Sequence, residues 1–231
     1  MNAPLEDLHS LDLPHMVVDD IDETQLSSEN KHHFLNVRRL RSGQKITITD
    51  GSGAWQVCEL EGISLLKLGE KQFTEALSTQ ITVCLAITKG GKPELVTQKL
   101  TELGVESIHF FFSERSVPKW DSKKIDKNIE KLTVISKQAL AQSKGVWLPK
   151  LEIGTSFNEL VKERGMCLAD RRGSPATTDL RKIMIGPEGG WGQVEYQSPV
   201  PKVRLHNLNL RSETAAIVAG ARIVSAFEQI D

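Results

Sequence analysis

Ile81-Thr82-Val83-Cys84-Leu85-Ala86-Ile87 is an almost unbroken apolar run. A strand with one wet face alternates apolar and polar residues. A short run without that alternation fits a strand covered on both faces, as in a parallel sheet flanked by helices. The residues downstream agree. Pro93 opens a segment with Leu95, Val96, Lys99, Leu100 and Leu103 at helical spacing, stopped by Gly104. Ile108 to Phe112 predicts the next strand, and Ile125, Ile129, Leu132, Ile135 and Ala139 mark a long amphipathic helix reaching Lys144. A helix around Phe157 to Glu163 leads to a strand at Met166 to Ala169. Further short strands are expected at Ile183 to Ile185 and Val203 to Leu205. Residues 81–231 thus alternate strand and helix, which predicts an α/β class with a mainly parallel sheet.

The preceding part reads differently. His15 to Val18, Lys45 to Asp50, Ala54 to Leu60, Ile63 to Leu68 and Gln72 to Leu77 are short β segments, with a hairpin turn at Asp50-Gly51-Ser52-Gly53. They predict a small β-barrel-like domain. Between its first strands, Ser28 to Leu40 has helical spacing in Phe34, Val37 and Leu40, after a serine cap at Ser27 or Ser28. A linker near Ser78 to Gln80 sets the expected domains at 1–77 and 78–231.

Charge is sorted along the chain although the net is only −1. Residues 1–30 carry eight acids and no Lys or Arg, whereas Lys31, Arg38, Arg39, Arg41 and Lys45 follow with no acid among them. A nucleic-acid binder usually shows a basic domain, so any RNA contact here comes from local patches. Cys58, Cys84 and Cys167 lie far apart without a CxxC pair, and are read as reduced packing residues, with no metal site. No apolar run suits a membrane span and the first residues lack the pattern of a signal peptide, so a cytoplasmic protein is expected.

Two loops stand out as ligand sites because each follows a strand, where open α/β sheets bind ligands. One is Ile185-Gly186-Pro187-Glu188-Gly189-Gly190-Trp191. The other is Leu205 to Ala216, which crosses a polar stretch and enters a helix. Neither GxxxxGK[ST] nor GxGxxG occurs, which argues against triphosphate and dinucleotide binding. Glu188 suits the vicinity of a cationic ligand, or bonding to backbone amides of its own turn.

Several segments, taken together and in order, resemble the RsmE family of ribosomal RNA methyltransferases. They are Thr88 to Glu94 with Gln98 to Val105, Glu114-Arg115-Ser116-Val117, Gln142-Ser143, Ile185 to Trp191, and Leu210-Arg211-Ser212-Glu213-Thr214-Ala215. His32-His33 and Val37 to Arg41 extend the likeness into the β-domain. The resemblance implies a SPOUT-type α/β domain with a C-terminal trefoil knot, a PUA-like N-terminal β-barrel domain and a homodimer. It also implies S-adenosylmethionine as donor and methylation of N3 of a uridine in 16S ribosomal RNA of the small ribosomal subunit.

Carried over by motif, the donor pocket comprises Leu168, Ala169, Ile185, Gly186, Pro187, Glu188, Gly189, Gly190, Leu205, His206, Leu208, Leu210 and Thr214. N3 of uracil carries a proton, so its removal leaves negative charge on the ring oxygens, which a fixed cation stabilises. Arg211 is the first candidate for that cation, with an ion-pair role in the fold as its alternative. Glu188 and Glu213 are both candidates to accept the proton. Arg38, Arg39, Lys89, Arg115, Gln142 and Lys144 are candidates for RNA contacts, or solvated charges and polar groups. Three departures from the family pattern stand out: His206 where Gly is usual, Lys144 where Arg is usual, and a Gly192 to Lys202 segment that leaves little room for a helix. The alternative readings are a non-catalytic RNA-binding protein of the same fold and a SPOUT methyltransferase of another RNA position.

Overall fold

The computed structural model describes residues 3–76, 80–88, 92–116 and 120–228. The chain divides into two compact units: Met1–Leu77 with Lys137–Leu148, and Ser78–Ser136 with Pro149–Asp231.

In the first unit, α1 (Leu5–Ser10), β1 (His15–Val17) and α2 (Ser28–Lys31) are followed by a wider π-helical turn over His32–Val37, then β2 (Lys45–Thr49), β3 (Ala54–Glu61) and β4 (Ser64–Phe73). The strands form one four-stranded sheet in the order β1-β2-β3-β4, with β1 parallel to β2 and the other pairs antiparallel. Met16, Phe34, Ile46, Ile48, Cys58 and Leu60 are fully buried against one another. Of the two strands expected at Ile63 to Leu68 and Gln72 to Leu77, Ser64 to Leu68 and Gln72-Phe73 are joined in the single strand β4, Thr74 to Ala76 lie beyond it, and Leu77 is outside the described residues. The register of β4 with β3 shifts between Trp55 and Val57, where Gln56 Nε2 donates to the Gly69 carbonyl at 2.9 Å and Gly69 has φ +74°.

Ser27 caps α2 by accepting from the Asn30 amide. The helix does not reach Leu40 in regular form. The Arg38 amide reaches back to the His33 carbonyl at 2.9 Å, and Arg39 turns left-handed at φ +55°. Arg38 and Arg39 therefore stand at and just beyond a helix end, both exposed. His15 is 1% exposed and satisfied at both ring nitrogens, by Thr47 Oγ1 at 2.8 Å and the Gly145 carbonyl at 2.9 Å.

The second unit runs β5 (Thr82–Ala86), α3 (Pro93–Glu102), β6 (Ser107–Phe112), α4 (Ser122–Ser143, whose last residues belong to the first unit), β7 (Lys150–Ser156) and α5 (Phe157–Leu160). It continues with β8 (Met166–Pro175), β9 (Lys182–Ile185), α6 (Gln193–Tyr196), β10 (Lys202–Arg204) and α7 (Ser212–Glu228). Its sheet has the order β10-β8-β9-β5-β6-β7 with every pair parallel. The run at residues 81–87 is explained by β5. Val83 and Leu85 enter a core shared with α3 and α7, while Cys84 and Ala86 enter a second core with Phe111, Leu168 and Trp191. Burial raises the thiol pKa of Cys84, and that of Cys58 to about 11. Both remain packing groups.

Three expectations need correction. β7 was not expected, because Lys150-Leu151-Glu152-Ile153-Gly154 has the mixed composition of an edge strand. β8 runs past Ala169 to Pro175, since β10 pairs with its far end. The Gly192 to Lys202 segment does hold a helix, the single turn α6. Among the described residues, no helix is long and apolar enough to cross a membrane and no group of His, Cys, Asp or Glu is arranged to hold a metal.

Candidate functional site

The turn leaving β9 is built by its glycines and an aromatic anchor. Gly190 has φ +74°, and its amide donates to the Pro187 carbonyl at 2.8 Å. Gly186 lies under Trp191, where a Cβ would come within 2.9 Å of the ring. Trp191 is stacked on Phe111 at 6.3 Å, and its indole N–H donates to the Ala169 carbonyl at 2.9 Å. That bond ties the turn to the neighbouring strand.

Glu195 fastens the turn from the other side. It is 3% exposed, and its carboxylate accepts from the Gly192 amide at 2.9 Å, Ser113 Oγ at 2.8 Å and the Glu114 amide at 2.8 Å. A buried carboxylate is costly unless its oxygens are matched by donors; here three donors from two loops converge on it. The sequence offers only the spacing Gly192 to Glu195 as a cue, and the site reading missed it.

β8 contributes through a break in pairing. Lys202 faces Leu168, but the next residue of β10, Val203, faces Ser174, so Ala169 through Gly173 have no partners across that step. Gly173 passes so close to the Lys202 carbonyl that a Cβ cannot fit. The Arg172 amide donates to Asp170 Oδ1 at 2.7 Å, and its guanidinium lies over Tyr196 at 4.7 Å. After β10, His206 Nδ1 accepts from the Leu208 amide at 3.1 Å, and Arg222 of α7 donates to the Leu205 carbonyl.

These segments enclose a cleft of about 850 Å³ at the carboxyl ends of β9 and β10 and beside the stretch Ala169 to Arg172 in the middle of β8. Ala169, Ile185, Gly186, Pro187, Glu188, Gly189, Gly190, Leu205, His206, Leu208 and Leu210, all expected in the donor pocket, line it together. Leu168 is fully buried beneath, and Thr214 is exposed on the first turn of α7 and off the wall, where Ala215 stands instead. Arg171, Arg172 and Tyr196 also line the cleft and were not singled out from sequence, and Trp191, named there only as part of its loop, lines it too.

The three catalytic candidates separate. Arg211 lines the cleft, exposed, with no side-chain hydrogen bond or ion pair among the described residues. Glu188 also lines it and accepts from Ser212 Oγ at 3.3 Å and Thr88 Oγ1 at 3.5 Å. Glu213 is 8% exposed and off the cleft wall, with Lys92 Nζ at 3.8 Å and the Ser212 hydroxyl at 3.4 Å.

Of the RNA candidates, Arg115 lines the cleft and donates to the Gly189 carbonyl at 2.6 Å. Arg38, Arg39, Gln142 and Lys144 belong to the first unit, with Lys144 Nζ 3.5 Å from Asp12. Lys89 lies outside the described residues.

Comparison with known proteins gives this geometry a family. The model of the RNA methyltransferase domain matches residues 75–224, and that of the RNA methyltransferase PUA domain matches residues 26–68. The Bacillus subtilis ribosomal RNA small subunit methyltransferase E is 28% identical over 90% of this chain and 92% of its own length. A Borreliella burgdorferi relative, ribosomal RNA small subunit methyltransferase E 2, is also 28% identical, over 85% of this chain and 88% of its own. The Neisseria gonorrhoeae ribosomal RNA small subunit methyltransferase E, solved with bound S-adenosylmethionine, shares the fold. It has a TM-score of 0.75 at 23% identity, over 94% of this chain and 98% of that one. The chain belongs to the RNA methyltransferase family, in the RsmE group of its relatives.

Proposed function

We propose that this protein transfers a methyl group from S-adenosylmethionine to N3 of a uridine in 16S ribosomal RNA of the small ribosomal subunit. In this reading it is a SPOUT-type enzyme, with the donor held by the loops of a C-terminal trefoil knot. It acts as a cytoplasmic homodimer, and residues 1–77 supply a PUA-like RNA-binding domain. The observation that carries the reading is the convergence of the turn after β9, the loop after β10 and Ala169 to Arg172 of β8 on one cleft lined by most of the residues expected to hold the donor.

The cleft suits such a donor. Ile185, Leu205, Leu208, Leu210 and Ala215 provide apolar wall. A Cβ on Gly190 would meet nothing, and one on Gly189 only the Arg115 Cδ at 4.0 Å, so both glycines leave open space. Apolar surface with a few placed polar groups is what a nucleoside ligand needs. When bound, S-adenosylmethionine supplies an electrophilic methyl on a sulfonium that leaves as a neutral thioether.

The chain's task is then to orient the acceptor, remove its N3 proton and hold the charge that remains. Glu188, on the cleft wall, is assigned as proton acceptor over Glu213, which lies behind the wall beside Lys92. Arg211, with its guanidinium unengaged among the described residues, is assigned to the charge on the uracil oxygens. The cleft wall carries Arg115, Arg171, Arg172 and Arg211 against Asp170 and Glu188. That excess of cations suits an acceptor carrying phosphates.

The test is calorimetric titration with S-adenosylmethionine and S-adenosylhomocysteine, followed by mapping of methylated nucleosides in small subunits incubated with protein and donor. Binding at about one site per chain and N3-methyluridine are expected. RNA binding without donor binding, alone or with RNA present, would favour the non-catalytic reading; another modified nucleoside would move the assignment to another RNA position.

A further inference from the structure

A second cavity, of about 300 Å³, adjoins the cleft. Thr88, just beyond β5, lines the smaller space and Glu188 the larger, and the Thr88 hydroxyl meets the Glu188 carboxylate across 3.5 Å. β5 and β9 are neighbours in the sheet, so the two spaces lie side by side over strand carboxyl ends with one contact as the seam.

Leu85, Ile87, Pro93 and Phe110 make its floor apolar. Trp120 forms a wall, held edge-on to Phe112 with ring centroids 6.3 Å apart. The Lys124 ammonium lies 5.4 Å from the Trp120 ring and has no carboxylate partner among the described residues, while the Lys124 backbone amide donates to Asp121 Oδ1 at 2.8 Å. Asn128 is fixed by donation of its amide N–H to the Lys124 carbonyl at 2.7 Å. Glu94 also lines the space, but its charge is matched by Lys131 at 2.5 Å, and that hydrogen bond holds its carboxyl below the usual range.

An aromatic wall, an unpaired ammonium and a fixed amide over an apolar floor suit a flat heterocycle bearing carbonyl oxygens. The volume is at the lower end for ligand pockets, about right for one nucleoside. We propose that this cavity receives the acceptor uracil after it leaves its stack, with Trp120 as stacking surface and Lys124 and Asn128 as partners for the ring edge. The large cleft then holds the donor, with its arginines toward the acceptor's oxygens and flanking phosphates. The assignment rests on the methyltransferase reading and gives it a place for the second substrate. Glu188 then stands at the boundary between donor and acceptor, where the proton has to be taken. Lys124 adds a second cation for the ring oxygens as they become negative.

The test uses the full chain with uridine 5′-monophosphate as probe in the presence of S-adenosylhomocysteine. Binding is followed by the indole N–H signal of Trp120, identified by its loss in Trp120→Phe. Saturable shifts of that signal are expected. Lys124→Ala, an exposed change that spares the fold, and Trp120→Ala should each weaken nucleotide binding about tenfold, as loss of a stacking or charged partner does. Both should lower kcat/KM for RNA while leaving donor affinity within about twofold, because neither side chain lines the donor cleft.

Donor binding and methyl transfer at wild-type levels in both variants would overturn the pocket and leave the methyltransferase reading standing. An unmoved Trp120 signal would also overturn it, as would lost transfer with undiminished nucleotide binding, since the base would then be held elsewhere. Failure of the wild-type protein to bind donor would remove both readings.

Discussion

Glu195 shows how one side chain can set a loop. Replacing it with Ala leaves the Gly192 and Glu114 amides and the Ser113 hydroxyl without their acceptor. Each buried donor so stranded costs on the order of 1–3 kcal/mol. Glu195→Ala is therefore expected to lower unfolding free energy by about 3 kcal/mol in urea denaturation and to weaken S-adenosylmethionine binding in calorimetry. Its lack of effect on either would show that the turn after β9 stands without it. Gly189 behaves oppositely. An added side chain meets almost no protein, so Gly189→Val should keep its melting temperature within a few degrees while losing donor affinity more than tenfold. Unchanged affinity would place the donor elsewhere. The glycine turn was readable because Pro and Gly announce their backbone needs locally. Glu195 was not, since Ser113 and Glu114 lie about eighty positions away.

Between elements, His15 joins β1 to β2 through Thr47 and to the segment after α4 through the Gly145 carbonyl. Burial, opposed in part by the Gly145 bond, lowers its pKa from 6.5 to about 4. The neutral ring is thus favoured by the fold, and the unfolded chain binds the proton more readily. Its contribution is full above pH 6.5 and is lost as pH falls towards 4, amounting to about 3 kcal/mol. Urea denaturation of wild type and His15→Gln should show a variant less stable at pH 7 whose stability falls less steeply between pH 6.5 and 4. Parallel curves would sink the assignment.

Gly173 carries a related argument for β8 and β10. A methyl at that position meets the Lys202 carbonyl, so Gly173→Ala should cost about 1–3 kcal/mol and reduce donor binding with it. Wild-type stability would mean that the strands separate freely. Strand periodicity placed β5, β6 and β9 well because their apolar runs are continuous. It missed β7 and the extension of β8, where edge position and a break in pairing remove the periodic signal.

For the whole molecule, charge is placed locally within a near-neutral chain, and the two units divide it. Arg38 and Arg39 are exposed on the first unit, whereas the cleft lies entirely within the second. Arg38→Ala with Arg39→Ala is expected to weaken RNA binding and to flatten its log–log salt dependence by roughly one to two units, with donor affinity unchanged. An unaltered slope would remove these arginines from the RNA contact. The change from short alternating strands to continuous apolar ones was legible along the chain. The inclusion of Lys137–Leu148 in the first unit was not, because it depends on contacts such as that of Val17 with Leu140 and Ala141, which no boundary drawn along a linear chain can express.

The central strand has a consequence for how the protein is made. β5 is flanked by β6, which comes soon after it in the chain, and by β9, whose Lys182 pairs with Thr82. On a ribosome adding roughly 5–20 residues per second, one edge of β5 waits several seconds for its partner to be synthesised. Throughout that interval the most apolar strand in the chain offers unpaired backbone groups to any neighbouring nascent polypeptide. The hazard in producing this protein is thus concentrated during translation, before residues 182–185 have emerged.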